Sequence, residues 1–138
     1  MIWTRLSTKS EYACLALVDL SKQYNKGLVK IEDIAKRQHI PKKYLEQILL
    51  LLKTSGYLKS KRGAEGGYKL SKPPNKISVA EIVRLMDGAL APVESVSKYF
   101  YEPTPISKNR QLIQVFKEIR DYVAKKLEST TFAGLIKK

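Results

Sequence analysis

Lys43, Glu46 and Gln47 stand three and four residues apart, the spacing that puts side chains on one face of a helix. Each suits a base edge in a DNA major groove. Glutamate accepts from the amino group of cytosine, glutamine pairs with adenine, and lysine reaches guanine. Lys42 and Lys53 flank this set on the polar side of the same segment. Further on, Lys59, Lys61, Arg62 and Lys69 surround the run Gly63-Ala64-Glu65-Gly66-Gly67. Cations beside such a tip suit phosphates, and Arg62 suits the strong negative potential of a narrow minor groove. Arg5, Lys9 and Lys30 are further candidates for phosphate contacts, which position a protein without reading sequence. Each of these cations also fits a plain solvated surface. Their order along the chain tips the reading toward nucleic acid.

Other chemistry is thinly provided for. The chain has one histidine, His39, and one cysteine, Cys14. There are no paired carboxylates and no nucleophile with a base beside it. The glycine-rich run lies between strand-like pieces, so it does not match a phosphate-cradling loop ahead of a helix. An enzyme is not expected. Cys14 sits among Ala13, Leu15, Ala16 and Leu17, which predicts a buried small apolar residue. A single cysteine permits no intramolecular disulfide, and no metal site is expected.

Composition sets the frame. The 138 residues are 43% hydrophobic, enough for a core, and carry a formal net charge of +13. Up to Lys76 there are 16 Lys and Arg against 6 Asp and Glu; from Ile77 onward there are 10 against 7. A polyanion-binding face is therefore expected in the N-terminal half. Nucleic acid, an anionic membrane and an acidic protein are the candidate partners. The longest apolar run, Ile48 to Leu52, falls far short of the ~20 residues that span a bilayer. The helices also lack the Lys-rich and Trp-bearing faces of a surface-lying membrane segment. The opening residues do not read as a signal peptide. The cytoplasm is the expected location, and a basic adaptor for an acidic protein is the rival to DNA binding.

The elements that must position these residues follow from periodicity. Ser7 to Tyr24 reads as an amphipathic helix on Tyr12, Leu15, Ala16, Leu20 and Gln23, its apolar face widened by Ala13, Leu17 and Val18, with Ser7 or Thr8 as the cap and Glu11 spaced from Thr8 as in a capping box. Lys30 to Gln38 reads as a short helix, His39-Ile40 as a turn, and Pro41 to Thr54 as a third helix. Tyr44, Leu45, Ile48, Leu49 and Leu52 form its apolar set, and Ser55-Gly56 ends it. Tyr57–Lys61 and Tyr68–Leu70 alternate as strands do. Ser78-Val79-Ala80-Glu81 predicts a capped helix reaching Met86, and residues 89–107, with three prolines, predict mostly loop. A long helix from about Lys108 to Glu128 carries Leu112, Phe116, Ile119, Val123 and Leu127. Of these, Leu112, Phe116, Ile119 and Val123 are the expected dimerisation residues. Thr130 or Thr131 caps a last turn. The fold class is mainly α with a small β-hairpin wing. Residues 1–76 form a winged helix-turn-helix domain, and residues 77–138 a connecting helix, loop and dimerisation helix.

The chain resembles the Rrf2 family of bacterial transcription regulators nearly end to end. The carrying residues are Leu6-Ser7-Thr8-Lys9-Ser10-Glu11-Tyr12-Ala13, then Tyr44-Leu45-Glu46-Gln47, then Arg62 through Leu70. The resemblance implies a homodimer, crossed through the long helices, on imperfect palindromes of double-stranded DNA. It implies that Glu46 and Gln47 face bases and that Arg62 enters the minor groove. Lys43 stands where a well-studied member has a smaller polar residue. Many members hold an iron–sulfur cluster on three cysteines ahead of the long helix, whereas residues 89–107 contain none here. No iron–sulfur cluster and no other cofactor is therefore expected. Glu11, which matches a cluster ligand of some relatives, is left to capping and surface charge. Gly88 through Glu94 and Ser129 through Phe132 look most like the cluster-free branch that represses sulfur and cysteine metabolism genes. Tyr99, Phe100 and Tyr101 either line an effector pocket or anchor the loop. A small-molecule effector and a regulatory protein partner both fit the resemblance.

Overall fold

In a computed structural model the chain is described over residues 6–88 and 103–137. Arg5 and the loop residues Tyr99, Phe100 and Tyr101 lie outside the described residues. The chain divides into two compact units. One comprises Met1–Ser10 and Ser78–Thr130; the other comprises Glu11–Ile77 and Thr131–Lys138.

The second unit contains most of helix α1, Thr8–Lys22, followed by α2, Ile31–Gln38, and α3, Lys42–Thr54. Strands β1, Leu58–Lys61, and β2, Gly67–Leu70, come next, and then a 3-10 turn, Pro74–Lys76. The short helix α6, Phe132–Ile136, completes it. The face that α1 buries is Ala13, Ala16, Leu17 and Leu20. All four belong to the expected apolar face; Leu15, also expected there, is exposed, and Tyr12, Val18 and Gln23 are half-buried. Alanines let neighbouring elements approach closely, so they mark the packed side more strongly than the larger leucine beside them. Ser7 caps α1 by accepting from the Ser10 amide at 3.0 Å, while Glu11 is exposed and no Thr8–Glu11 capping box forms. Cys14 is half-buried rather than buried.

Helix α3 packs Leu45, Ile48, Leu49 and Leu52 at 0% exposure. Tyr44, expected with them, is exposed at the surface and meets Tyr12 edge-to-face at 5.3 Å. Leu50 lies within an unbroken apolar run, yet the helical period turns it outward at 60% exposure. Pro41 occupies the position before the first helical residue rather than the first turn itself. Strands β1 and β2 pair antiparallel, with Leu58 opposite Leu70 and both buried. Phe132 of α6 is fully buried, and its amide donates to the Ile77 carbonyl at 3.1 Å. Thr131 caps α6 by accepting from the Gly134 amide.

The first unit contains α4, Val79–Asp87, and α5, Arg110–Ser129. The Ser78–Glu81 capping box forms in both directions, at 3.2 and 2.7 Å. Gly88 terminates α4 as expected, and the helix itself reaches Asp87, one residue beyond Met86. Ala80 and Val83 make a small core against Val79 and Leu127. Leu127 therefore packs on α4. Arg84 and Glu128 join the same two helices at 2.7 Å. Asn109 caps α5 by accepting from the Leu112 amide at 3.0 Å. No helix among the described residues is long and apolar enough to cross a membrane.

Candidate nucleic-acid interface

Helices α2 and α3 and the tight turn between them form a helix-turn-helix. His39 closes α2 in the left-handed conformation, with φ of 54°. The Ile40 amide donates to the Ala35 carbonyl at 3.0 Å, and Pro41 then starts the chain in its new direction. His39 thus serves the backbone turn.

An ion pair that was not anticipated clasps α2 to α1. The Arg37 guanidinium donates to both oxygens of Asp19, Nε at 2.9 Å and a terminal nitrogen at 2.8 Å. Gln38 adds a third bond at 3.1 Å. Asp19 is only 3% exposed. Burial works against its charge, but the Arg37 and Gln38 hydrogen bonds and the Arg37 and Lys22 charges outweigh it, and its pKa falls below the ordinary range. One signal was present in the sequence: Asp19 interrupts the face bearing Ala16, Leu17 and Leu20.

With the apolar side of α3 buried, its other side is free. Lys42, Lys43, Glu46 and Gln47 are all exposed, and none of their side chains is ion-paired with another described residue. Lys43, Glu46 and Gln47 share one face near the N-terminus of α3.

The hairpin is anchored beside this helix by backbone. The Tyr57 amide donates to the Leu52 carbonyl at 2.9 Å, tying β1 to the end of α3. Val29, ahead of α2, bridges Tyr68 of β2 through two 2.8 Å hydrogen bonds. That crossing requires glycine at position 67, where a Cβ would lie 2.6 Å from the Val29 carbonyl oxygen. A Cβ at Gly66 would collide with the Lys61 carbonyl. Two of the glycines of the wing are thus set by close approach as well as by the turn. Lys72 stacks on the Tyr57 ring at 4.7 Å.

Lys59, Lys61, Arg62 and Lys69 are exposed. Lys59 pairs directly across from Lys69. Like charges in that register repel, and among the described residues no carboxylate is ion-paired with them. An open groove of about 530 Å³ runs between α3, the wing and the start of α2, and Lys61 and Arg62 line it. The structure thus brings Lys42, Lys43, Glu46, Gln47, Lys59, Lys61 and Arg62 into one unit. Lys9 is not among them. It is half-buried in the other unit, and its charge acts on Asp87. Asp87 accepts from the Ser10 hydroxyl at 2.6 Å, from the Ser7 hydroxyl, and from the Ser7 amide at 3.2 Å. Burial opposes its charge, and these bonds together with Lys9 hold its pKa low.

The expected dimerisation residues lie along α5. Leu112 is exposed, and Phe116, Ile119 and Val123 are half-buried. Val115 and Tyr122, which periodicity alone did not single out, are exposed at 51% and 73%. Only Ala124 of this helix is buried.

A family described as "Rrf2: Iron-dependent Transcriptional regulator" matches residues 6–138. An HTH-type transcriptional regulator of Mycobacterium tuberculosis is 38% identical over 132 residues, covering 95% of this chain and 80% of that protein. The HTH-type transcriptional regulator CymR of Bacillus subtilis is 32% identical over 131 residues, covering 95% and 88%. The structure of that protein, the global cysteine regulator, superposes with a TM-score of 0.77 over 96% of this chain and 95% of its own. The structure of T. potens IscR is 30% identical, with a TM-score of 0.75 over 96% and 85%.

These findings correct one expectation. The lack of cysteines in residues 89–107 was read as excluding a cofactor, yet the matching family is described as iron-dependent. Cysteine spacing bears only on thiolate-held clusters, and iron also takes imidazole and carboxylate ligands. Among the described residues no three His, Cys, Asp or Glu side chains come together to hold a metal. Matched by the family over residues 6–138 and by relatives at 38% and 32% identity across 95% of its length, the chain belongs to the Rrf2 family: it is a transcriptional regulator with a winged helix-turn-helix, and not an enzyme.

Proposed function

We propose that the chain acts as a homodimeric, sequence-specific repressor of sulfur and cysteine metabolism genes in the cytoplasm. Residues 1–76 bind DNA, and residues 77–138 supply the connecting helix, the loop and the dimer seam. Glu46, Gln47 and Lys43 read base edges in the major groove. Lys42, Lys59 and Lys61 hold phosphates, and Arg62 enters the minor groove. Leu112, Phe116, Ile119 and Val123 pair two copies through α5. The pairing spaces two recognition helices about one helical turn apart. Repression follows from occupying DNA that polymerase needs. The signal is a small-molecule effector or a partner protein. Similarity to the global cysteine regulator supports the choice of target genes.

The observation that carries this reading is the division of α3. One side is fully buried, and the other presents the exposed side chains of Lys43, Glu46 and Gln47, whose chemistry suits base edges. The test is fluorescence anisotropy on a labelled duplex from the gene's own upstream region, beside a scrambled duplex, at low and moderate salt. Salt-sensitive binding that prefers the native duplex is expected. No binding to either duplex at low salt would overturn the reading in favour of an acidic protein partner.

A further inference from the structure

The face of α3 assigned to base reading does not end at Gln47. Leu50 follows Lys43, Glu46 and Gln47 on that face, three residues after Gln47 and four after Glu46. It is 60% exposed, the most exposed leucine among the described residues. The buried side of the helix is filled by Leu45, Ile48, Leu49 and Leu52, and Leu50 points away from them. A helix face that met only water would gain nothing from this leucine. Side chains of a helix lean toward its N-terminus and cover the turn before their own Cα. Leu50 therefore leans over the turn of Glu46 and Gln47, about 4.5 Å along the axis from Gln47. One base step along a DNA strand is about 3.4 Å. Leu50 thus reaches one or two base pairs beyond the one that Gln47 meets.

A leucine has no donor or acceptor with which to read a base. It discriminates by what it covers. In the major groove guanine, adenine and cytosine present only donors and acceptors, whereas thymine adds an apolar 5-methyl group. A leucine pressed on the cytosine amino group or on a purine nitrogen strips water without replacing the hydrogen bond, which weakens binding. Against the thymine methyl it takes apolar surface out of water on both partners. We propose that Leu50 is a specificity-determining residue that packs on the 5-methyl group of a thymine, one or two base pairs from the base that Gln47 meets. The proposal rests on the DNA-binding reading and deepens it. In a homodimer each half-site supplies one such thymine.

The test begins with the full-length protein selecting duplexes from a randomised pool of unmodified DNA, where thymine alone carries a 5-methyl group. The tightest duplex is resynthesised with deoxyuridine for thymidine, one position in each half-site at a time. Uracil keeps every hydrogen-bonding group of thymine and lacks only the methyl. Affinities are measured by anisotropy. At one thymine the exchange should weaken wild type by about fourfold per half-site, and roughly tenfold or more with both half-sites changed, as for one buried methyl-sized group. Leu50→Ala should bind the thymine duplex at least that much more weakly and be indifferent to the exchange. This coupling is the readout, because a change in DNA shape alone would act equally on both proteins. Leu50→Met keeps an apolar side chain of similar volume and should stay sensitive. Gln47→Ala should relax preference at a base one or two pairs from the sensitive thymine. Thermal melting of Leu50→Ala should match wild type, since the side chain is exposed. If no single exchange weakens wild type, or if Leu50→Ala responds as wild type does, Leu50 reads no thymine. Equal losses for Leu50→Ala on selected and scrambled duplexes, without a uracil effect, would make it a sequence-blind contact and overturn the proposal. In these cases selective binding by wild type leaves the DNA-binding reading standing. A wild-type protein that enriches no sequence from the pool overturns that reading, and the role of Leu50 with it.

Discussion

Helices α3 and α5 are both amphipathic, and they leave opposite faces unpartnered. In α3 the apolar side is fully buried within its own unit, while the side chains of Lys42, Lys43, Glu46 and Gln47 are exposed and ion-paired with no other described residue. In α5 part of the polar side is engaged: Gln114 bonds Glu118, Arg120 pairs with Asp121, and Glu128 pairs with Arg84. Its apolar residues are the ones left open, with Leu112, Val115 and Tyr122 exposed and only Ala124 buried. Each helix is complete on one side and unfinished on the other. The chemistry of the unfinished side names the partner. A polar, cation-rich face suits a polyanion, and an apolar face along a helix of about 30 Å suits another apolar surface. A second copy of the same helix is such a surface, by the symmetry that governs most homodimers.

The sharpest way to break this comparison is to put a charge into the open face of α5. Leu112 is exposed in the single chain, so Leu112→Glu should leave the protomer's own folding nearly unchanged. In a dimer the same change removes about 1.5–3 kcal/mol of burial on each side and adds the larger cost of a buried carboxylate. The expected result is a monomer by sedimentation, with affinity for the native duplex down more than a hundredfold. A variant that stays dimeric would assign the seam to another element.

The next effect concerns what holds the reading face in place. Arg37→Ala leaves the buried Asp19 carboxylate with Gln38 as its remaining hydrogen-bond partner. The cost should be about 2 kcal/mol, less than for breaking a fully buried pair, because the Arg37 side chain is 46% exposed and water takes over part of its role. Melting should fall by roughly 5–10 °C. Acid provides a second view of this contact. Asp19 and Asp87 both titrate below the ordinary aspartate value of 3.8 in the folded chain. A depressed carboxylate contributes stability that is complete above the unfolded value and is lost as pH falls through the folded one. Wild-type stability, followed by urea unfolding, should therefore drop below about pH 4. Arg37→Ala should flatten the part of that drop that Asp19 supplies. An acid limb unchanged by Arg37→Ala would show that Asp19 does not couple to stability through this pair.

Much of this architecture could be read without coordinates, for a physical reason. The two short helices, the hairpin and the long helix each announce themselves by local pattern: a 3.6-residue period, strand alternation, or a cap such as Ser78–Glu81. What escaped the reading depends on contacts between segments distant in sequence. The Arg37–Asp19 clasp joins residues 18 apart, and the Ser7–Asp87 bond joins residues 80 apart. Lys9 read as one more surface cation because nothing local places it beside Asp87. Leu15 was placed on the buried face of α1, but close packing selected Ala13 and Ala16 and left the leucine between them exposed. Tyr44 was assigned to the core by its apolar ring, yet it lies at the surface against Tyr12. The cofactor question was misjudged for a different reason. Counting cysteines answers only for thiolate ligands.

The smallest expected effect sharpens the division of labour on the polar side of the comparison. Glu46 lies on the reading face of α3, and Lys61 on the wing. Glu46→Ala removes an acceptor that bases can recognise and also a negative charge that repels phosphate. Affinity for the native duplex should fall by about 1–2 kcal/mol, within the range for one base contact. Affinity for a scrambled duplex should hold or rise slightly, so the specificity ratio falls. Lys61→Ala should instead weaken both duplexes together and lower the salt slope, leaving the ratio unchanged. Competition binding with single-base changes in one half-site separates the two variants, because only Glu46→Ala should become indifferent to the base it contacts. Equal losses on native and scrambled DNA for Glu46→Ala would mean that the exposed face of α3 docks without reading. The sequence preference would then have to come from the wing or from the shape of the duplex.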